Sequence, residues 1–130
     1  MALKSLLALM TSASLLAAAP LVYEGTEGPG KGKHIVFIAN DHEYRSEETC
    51  PLIAKILAKH HGFKCTVLFG MDEGGHIKGG GTPIPNIDVL KEADLLFFYT
   101  RFMKLPDDQA DALVAYFERG GPTIGLRTST

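Results

Sequence analysis

The chain has 130 residues, of which 45% are apolar and 22% are charged, a composition that suits one ordinary globular domain. Its formal net charge is −2, from 13 Lys and Arg against 15 Asp and Glu. No basic stripe interleaved with aromatic residues accompanies this balance, so nucleic acid and anionic membrane surfaces are excluded as expected partners.

The first 19 residues have the layout of a secretory signal peptide. A short basic start, Met1 to Lys4, precedes an apolar segment that ends in Ala17-Ala18-Ala19. A buried core helix is the alternative, but this segment is apolar all round rather than on one face. We expect residues 1–19 to direct export to the periplasm or the medium, or to persist as an anchor because Pro20 disfavours cleavage. Residues 20–33, rich in glycine and charge, predict a flexible lead-in.

From residue 34 onward, short apolar segments alternate with helical patterns. The first long helix is expected to begin near Cys50 because of Pro51, with Ser46 as its N-cap and Gly62 as its stop. The predicted strands are 34–39, 64–69, 95–99 and 123–126, and the predicted helices are 46–61, 87–93 and about 107–119. The predicted apolar faces are Leu52, Ile53, Ile56, Leu57 and His60 in the first long helix, and Ala110, Leu113, Val114 and Phe117 in the last.

This alternation predicts an α/β domain over residues 34–130, with a parallel sheet and right-handed crossovers. The expected strand order is 2-1-3-4, as in flavodoxin-like three-layer folds. The long loop 70–86 is rich in glycine and proline and is expected to act as a lid or binding loop. The fourth strand is followed only by residues 127–130, so we expect the domain to be incomplete at its C-terminus.

The two cysteines are expected not to pair with each other. Cys50 lies at the start of a predicted helix and Cys65 at the start of the strand after it, so about 11 helical residues separate them by roughly 16 Å, beyond the ~7 Å limit for a disulfide. We expect both to be buried as small apolar residues.

Polar side chains gather where the predicted strands end. Because ligands of open parallel sheets bind outside the carboxyl ends of the strands, these residues are the candidate site. His42 and Glu43 are the candidate catalytic acid and base. The candidate substrate-binding residues are Asp41, Tyr44, Arg45, Arg101, Arg127 and Thr128, since paired arginines suit a carboxylate, a phosphate or a sugar.

Two simpler interpretations compete with this site. The loop after the first strand could be a solvated turn whose Asp41 and Ser46 cap backbone groups, and Arg101 or Arg127 could pair structurally with Asp41 or Glu43. No metal or cofactor is expected, because metal-ligand spacing, a dinucleotide glycine loop and a P-loop are all missing from the sequence. A receiver-type aspartate after the third strand and a nucleophile elbow are missing too.

The ordered part of the sequence, residues 33–130, resembles the ThuA-like (trehalose-utilisation) domain family, in particular its exported members. The motifs that carry the resemblance are HEYRSEE after the first strand, LxxADLLFFY at the third strand, and GGPTIGLRTST. The resemblance implies a fold similar to class I glutamine amidotransferases and a role in carbohydrate use. The thiol nucleophile of those enzymes is replaced here by Arg127-Thr128.

Two hypotheses from different classes follow. The chain is an exported protein that acts on a small carbohydrate such as trehalose, or it is a non-catalytic ligand-binding or interaction module that kept the fold and lost the nucleophile. In both, the expected partner is a small molecule such as a sugar, and the sequence does not specify an oligomeric state.

Overall fold

A computed structural model describes residues 19–127 and residue 129 of the chain. The predicted signal peptide (residues 1–19) and Thr128 therefore lie outside the described residues, apart from Ala19. The elements in chain order are β1 (Leu21–Tyr23), β2 (His34–Asn40), α1 (Ser46–His61), β3 (Lys64–Phe69), a 3₁₀ helix (Ile87–Glu92), β4 (Leu95–Thr100), α2 (Asp107–Glu118) and β5 (Thr123–Gly125).

The strands form one five-stranded sheet in the order β1-β3-β2-β4-β5. Strand β2 pairs in parallel with both β3 and β4, and β4 pairs in parallel with β5, whereas β1 runs antiparallel to β3. The prediction of an α/β domain is confirmed, and the predicted parallel sheet is found except for β1, an antiparallel edge strand that was not predicted. If only the four strands expected from the sequence are numbered, their order is 2-1-3-4.

Helices cover both faces of this sheet. One face packs Ile35, Phe37 and Val67 against Ala54 and other small residues of α1. The other face packs Val36, Ile38, Leu68 and Leu96 against the 3₁₀ helix and against Leu113 and Tyr116 of α2. Successive residues of β2 point to opposite faces, so a strand buried throughout must be apolar at nearly every position.

Residues 20–33 are more structured than the sequence predicts. Leu21–Tyr23 pair with β3, and the N–H groups of Gly25 and Gly30 donate to the carbonyls of Phe63 (3.0 Å) and His61 (2.8 Å). The expectation of a flexible lead-in is therefore wrong for this stretch. Three strand residues are too few to produce a recognisable period, but side chains of β1 pack onto the core beside α1.

The first helix begins earlier than expected, and of its predicted apolar face only Ile53 and Leu57 pack against the core. It is regular from Ser46, with Pro51 inside it, and not only from near Cys50. Its buried residues include Cys50, Ala54 and Ala58, whereas Leu52 is 61% exposed. Small side chains at this four-residue spacing let the helix approach the sheet closely, a property that a count of large apolar residues does not capture. The predicted stop is confirmed, since Gly62 ends the helix at φ 80°.

The last helix also turns a different residue inward. Tyr116 is 2% exposed and its hydroxyl donates to the Pro122 carbonyl at 2.6 Å, whereas Val114 and Phe117 of the predicted face are 50% and 44% exposed. The hydroxyl can be buried because it has this acceptor. Among the described residues, no helix is long and apolar enough to cross a bilayer.

Candidate functional site

The candidate site lies at the carboxyl edge of the sheet, where β2 and β4 end side by side. Asn40 and Thr100, the last residues of these strands, are register partners. The loops that follow them, 41–45 and 101–106, therefore leave the sheet next to each other. We call the exposed or half-buried residues here the rim: His42, Glu43, Tyr44, Arg101, Phe102 and Arg127.

Asp41 organises the loop after β2. Its side chain is fully buried, and its Oδ1 accepts the backbone N–H groups of Glu43 and Tyr44, each at 2.7 Å. The Asp41 N–H donates to the Ser46 hydroxyl at 2.8 Å, and that hydroxyl donates to the Asp41 carbonyl at 3.2 Å. Ser46 is thus not the N-cap of α1, a position that Arg45 occupies at φ 54°. The structure places Asp41 inside the loop, where it fixes the backbone of the rim, and not at the rim surface.

Glu43 and Arg101 form an ion pair across the two loops. The guanidinium carbon of Arg101 also lies 5.1 Å from the centroid of the Phe102 ring, and the His42 ring lies 6.3 Å from that centroid. The structure therefore brings together both predicted catalytic residues and one predicted anchor. Pairing of Arg101 with Glu43 is the simpler alternative that the sequence left open.

Phe102 is a rim residue that the sequence analysis did not single out. It is 81% exposed, and its backbone is left-handed at φ 48°. A left-handed conformation costs a non-glycine residue about 1–2 kcal/mol, and an exposed aromatic ring forgoes the gain of burial. Neither property has a signal in the segment TRFMKLP, because both depend on how the loop leaves β4.

The remaining predicted arginines have partners of different kinds. The guanidinium carbon of Arg127 lies 5.2 Å from the centroid of the Tyr44 ring, which joins the end of β5 to the loop after β2. Arg45 is exposed and pairs with Glu48 in the first turn of α1. The structure thus places Arg127 and Tyr44 at the rim and directs Arg45 to the helix.

Ser129 fastens the chain after β5 to β4 and was also missed. Its hydroxyl donates to the Phe98 carbonyl at 2.9 Å and accepts the Thr100 N–H at 3.1 Å. Such a contact depends on tertiary structure, so nothing in the sequence could have indicated it. It holds Arg127 close to the end of β4.

The glycine-rich loop after β3 packs against the end of β2. The Asn40 side-chain amide donates to the Gly81 carbonyl at 3.0 Å, and the Gly80 N–H donates to the Asn40 carbonyl at 3.2 Å. A Cβ at Gly79 would lie 2.6 Å from the Asp41 carbonyl oxygen, so only glycine fits there.

A cavity of about 450 Å³ lies within this loop. Gly80 lines this cavity and also lies beside the rim, since a Cβ built on it would be 3.5 Å from the imidazole Nδ1 of His42. The cavity is lined by Met71, Asp72, Glu73, Gly74, Lys78, Gly80, Gly81 and Thr82. The loop thus forms a wall beside His42, and its predicted role as a lid or binding loop stays a prediction.

Both thiols belong to the hydrophobic core between α1 and the sheet. Cys50 and Cys65 are fully buried and form no disulfide, which confirms the two predictions made for them. Burial raises the pKa of Cys50 to about 12 and that of Cys65 to about 11. A thiol with so high a pKa is a poor nucleophile at neutral pH.

Within residues 19–127 and 129, no group of three His, Cys, Asp or Glu side chains is placed to hold a metal ion. Compared with family models, curated proteins and solved structures, the chain matches none of them. The function must therefore be argued from the residues of the rim.

Proposed function

We propose that this chain is an exported ThuA-like domain protein of carbohydrate utilisation, which binds trehalose or a related sugar at the rim. The proposal assigns a ligand and a process, and no bond change. The observation that carries it is the convergence of an imidazole, a carboxylate and two guanidinium groups from three strand ends onto one edge.

The finer fold assignment belongs to the same proposal. A flavodoxin-like, class I glutamine amidotransferase-like arrangement is supported by the strand order β3-β2-β4-β5 and by helices on both faces of the sheet. In such folds ligands bind at the carboxyl edge near the point where the strand order reverses, and here that point lies between β2 and β4.

The rim residues suit hydroxyl groups. Arg101 supplies several N–H donors and Glu43 supplies acceptors, while the His42 imidazole can do either, depending on its tautomer. A sugar hydroxyl both donates and accepts, so it can bind to the Arg101–Glu43 pair without leaving either charge alone. His42 and Glu43 are also the groups that would transfer a proton if a reaction occurs here.

Calorimetry with trehalose tests the binding site. We expect Arg101→Ala and Arg127→Ala each to weaken binding about 10-fold to 100-fold, since a hydrogen bond to a charged group contributes roughly 1.5–3 kcal/mol. Lys91→Ala is the matched control, because it removes an exposed cation that pairs with Asp88 before β4. Equal affinities in all these variants would remove the rim from consideration as the sugar site.

A second function, a binding module without catalysis, is favoured because the two acids after β2 already have partners within the chain. Asp41 is buried and bound to backbone N–H groups, and Glu43 is paired with Arg101. Both thiols are in the core. Incubation of the protein with a panel of glycans, followed by mass spectrometry, separates the two functions: a converted product eliminates the binding module, and saturable binding without conversion eliminates the enzyme.

Export is tested independently of the ligand. If residues 1–19 direct export, expression in a secreting bacterial host yields a chain in the exported fraction, either cleaved near Pro20 or with the segment retained. N-terminal sequencing of the periplasmic or secreted fraction reads this directly. Recovery of the chain only from the cytoplasm, with Met1 or Ala2 at its start, would exclude the export proposal.

A further inference from the structure

Phe102 is the rim residue whose features the proposed anchors do not explain. It follows β4 directly, its backbone is left-handed at φ 48°, and the residue is 81% exposed. The other phenylalanine among the exposed large apolar residues is Phe117, which is only 44% exposed and lies in the regular helix α2. The combination of an unfavourable backbone and an open ring is characteristic of sites where binding, and not folding, selects the conformation.

The surroundings of the ring leave one side of it accessible. The Arg101 guanidinium lies over one face, 5.1 Å from the centroid, and the His42 ring lies 6.3 Å away at an interplanar angle of 33°. With the residue 81% exposed, most of the ring remains open to solvent. A flat apolar surface is therefore bordered by polar groups that belong to the same edge of the sheet.

We propose that Phe102 is a stacking platform that selects uncharged pyranosides, with the apolar face of the sugar ring on the phenyl ring and the hydroxyls directed to the Arg101–Glu43 pair and to His42. This inference rests on the proposed function and names the ligand class more narrowly. Ligand sites commonly combine one aromatic surface with a few placed polar groups, and an aromatic surface with a polar border matches a ring that is apolar on its face and polar at its edge.

The glycine-rich loop after β3 leaves space beside His42. Gly80 lies beside His42, where even a Cβ would come within 3.5 Å of the imidazole Nδ1. Side chains at this position would therefore fill the space next to the platform. Glycine, which the positive φ of 73° also favours, leaves the space beside His42 without a side chain.

The chain contains no tryptophan, so Phe102→Trp gives a fluorophore located only at the platform. We expect its emission to change saturably with methyl α-glucopyranoside and with trehalose. The open-chain polyol sorbitol carries the same kind of hydroxyls without a ring face, and it should produce no saturable change. Sorbitol binding as tight as that of the pyranosides would overturn recognition of the ring face.

Calorimetry on unlabelled variants completes the test. Phe102→Ala should weaken trehalose binding roughly twofold to tenfold, the range of an aromatic contact, while Phe102→Tyr should retain it. Phe117→Ala is the control, because Phe117 lies at the C-terminal end of α2, away from the loop that carries Phe102. This variant should bind like the unaltered chain. Circular dichroism confirms that each variant is folded.

The outcomes distinguish the platform from the proposed function. Weaker binding in Phe102→Ala, with unchanged binding in Phe117→Ala, supports the platform. Unchanged binding in Phe102→Ala, with loss in Arg101→Ala, overturns the platform and leaves sugar binding at the rim in place. No binding of any pyranoside by the unaltered chain overturns both.

Discussion

At Phe102, the glycine variant should have a higher free energy of unfolding than the alanine variant. Inside a helix the order is the reverse. Both replacements remove the ring, so the lost contacts cancel when the two variants are compared. What remains is the backbone at φ 48°, where a Cβ costs about 1–2 kcal/mol. Glycine's extra freedom in the unfolded chain offsets roughly 0.5–1 kcal/mol of that. We therefore expect Phe102→Gly to be more stable than Phe102→Ala by about 0.5–1 kcal/mol.

Val114 provides the matched pair of opposite sign. It lies inside α2 and is 50% exposed, so Val114→Gly should be less stable than Val114→Ala by about 1 kcal/mol. Urea unfolding measures both differences: with a slope of roughly 1–3 kcal/mol per molar, 1 kcal/mol moves the midpoint by about 0.3–1 M. If Phe102→Gly were no more stable than Phe102→Ala, the left-handed backbone at this residue would not be a source of strain.

Three further outcomes are expected. Burial is the main cause that lowers the pKa of His34 from 6.5, so the free energy of unfolding should fall as the pH drops below 6.5, by at most about 1.4 kcal/mol per pH unit. The urea midpoints measured at pH 7.5 and pH 5.5 should therefore differ less in His34→Gln than in the unaltered chain. Cys50 and Cys65, with raised pKa values, should react with iodoacetamide at pH 8 only as fast as the chain unfolds, and rapid labelling of the native protein would contradict their burial. Gly79→Ala should cost about 1–3 kcal/mol in urea unfolding, because its Cβ meets the Asp41 carbonyl at 2.6 Å; an unchanged midpoint would show that the loop adjusts freely.

The parts of the fold that the sequence predicts are those that depend on local burial. Strand β2 is buried at all seven positions, and such a strand needs an uninterrupted apolar segment that is visible in the sequence. Gly62 is likewise recognisable as a stop, because a helix commonly ends in a left-handed residue. The inward face of α1 is predicted only in part, at Ile53 and Leu57, because close approach to a sheet favours small side chains such as Ala54 and Ala58 over large ones.

In the candidate site, too, the sequence predicts some features and not others. Positions such as His42 and Arg101 follow directly from strand ends, so a correct strand assignment places them at one edge. Their partners are a different matter: whether Glu43 binds Arg101 or a ligand depends on the separation of two loops, which no pattern encodes. The conformation of Phe102 and the contact of Ser129 with β4 arise only after the chain has folded.

The short strand β1 sets a limit on how far the start of the chain can be trimmed. Loss of residues up to Ala19 leaves Leu21–Tyr23 in place against β3. A cut after Tyr23 would instead bare the backbone amides and carbonyls on the outer side of β3, which readily recruit strands from other molecules. The four residues between 19 and 23 therefore decide whether the outer side of β3 is covered by β1 or becomes the exposed edge of the sheet.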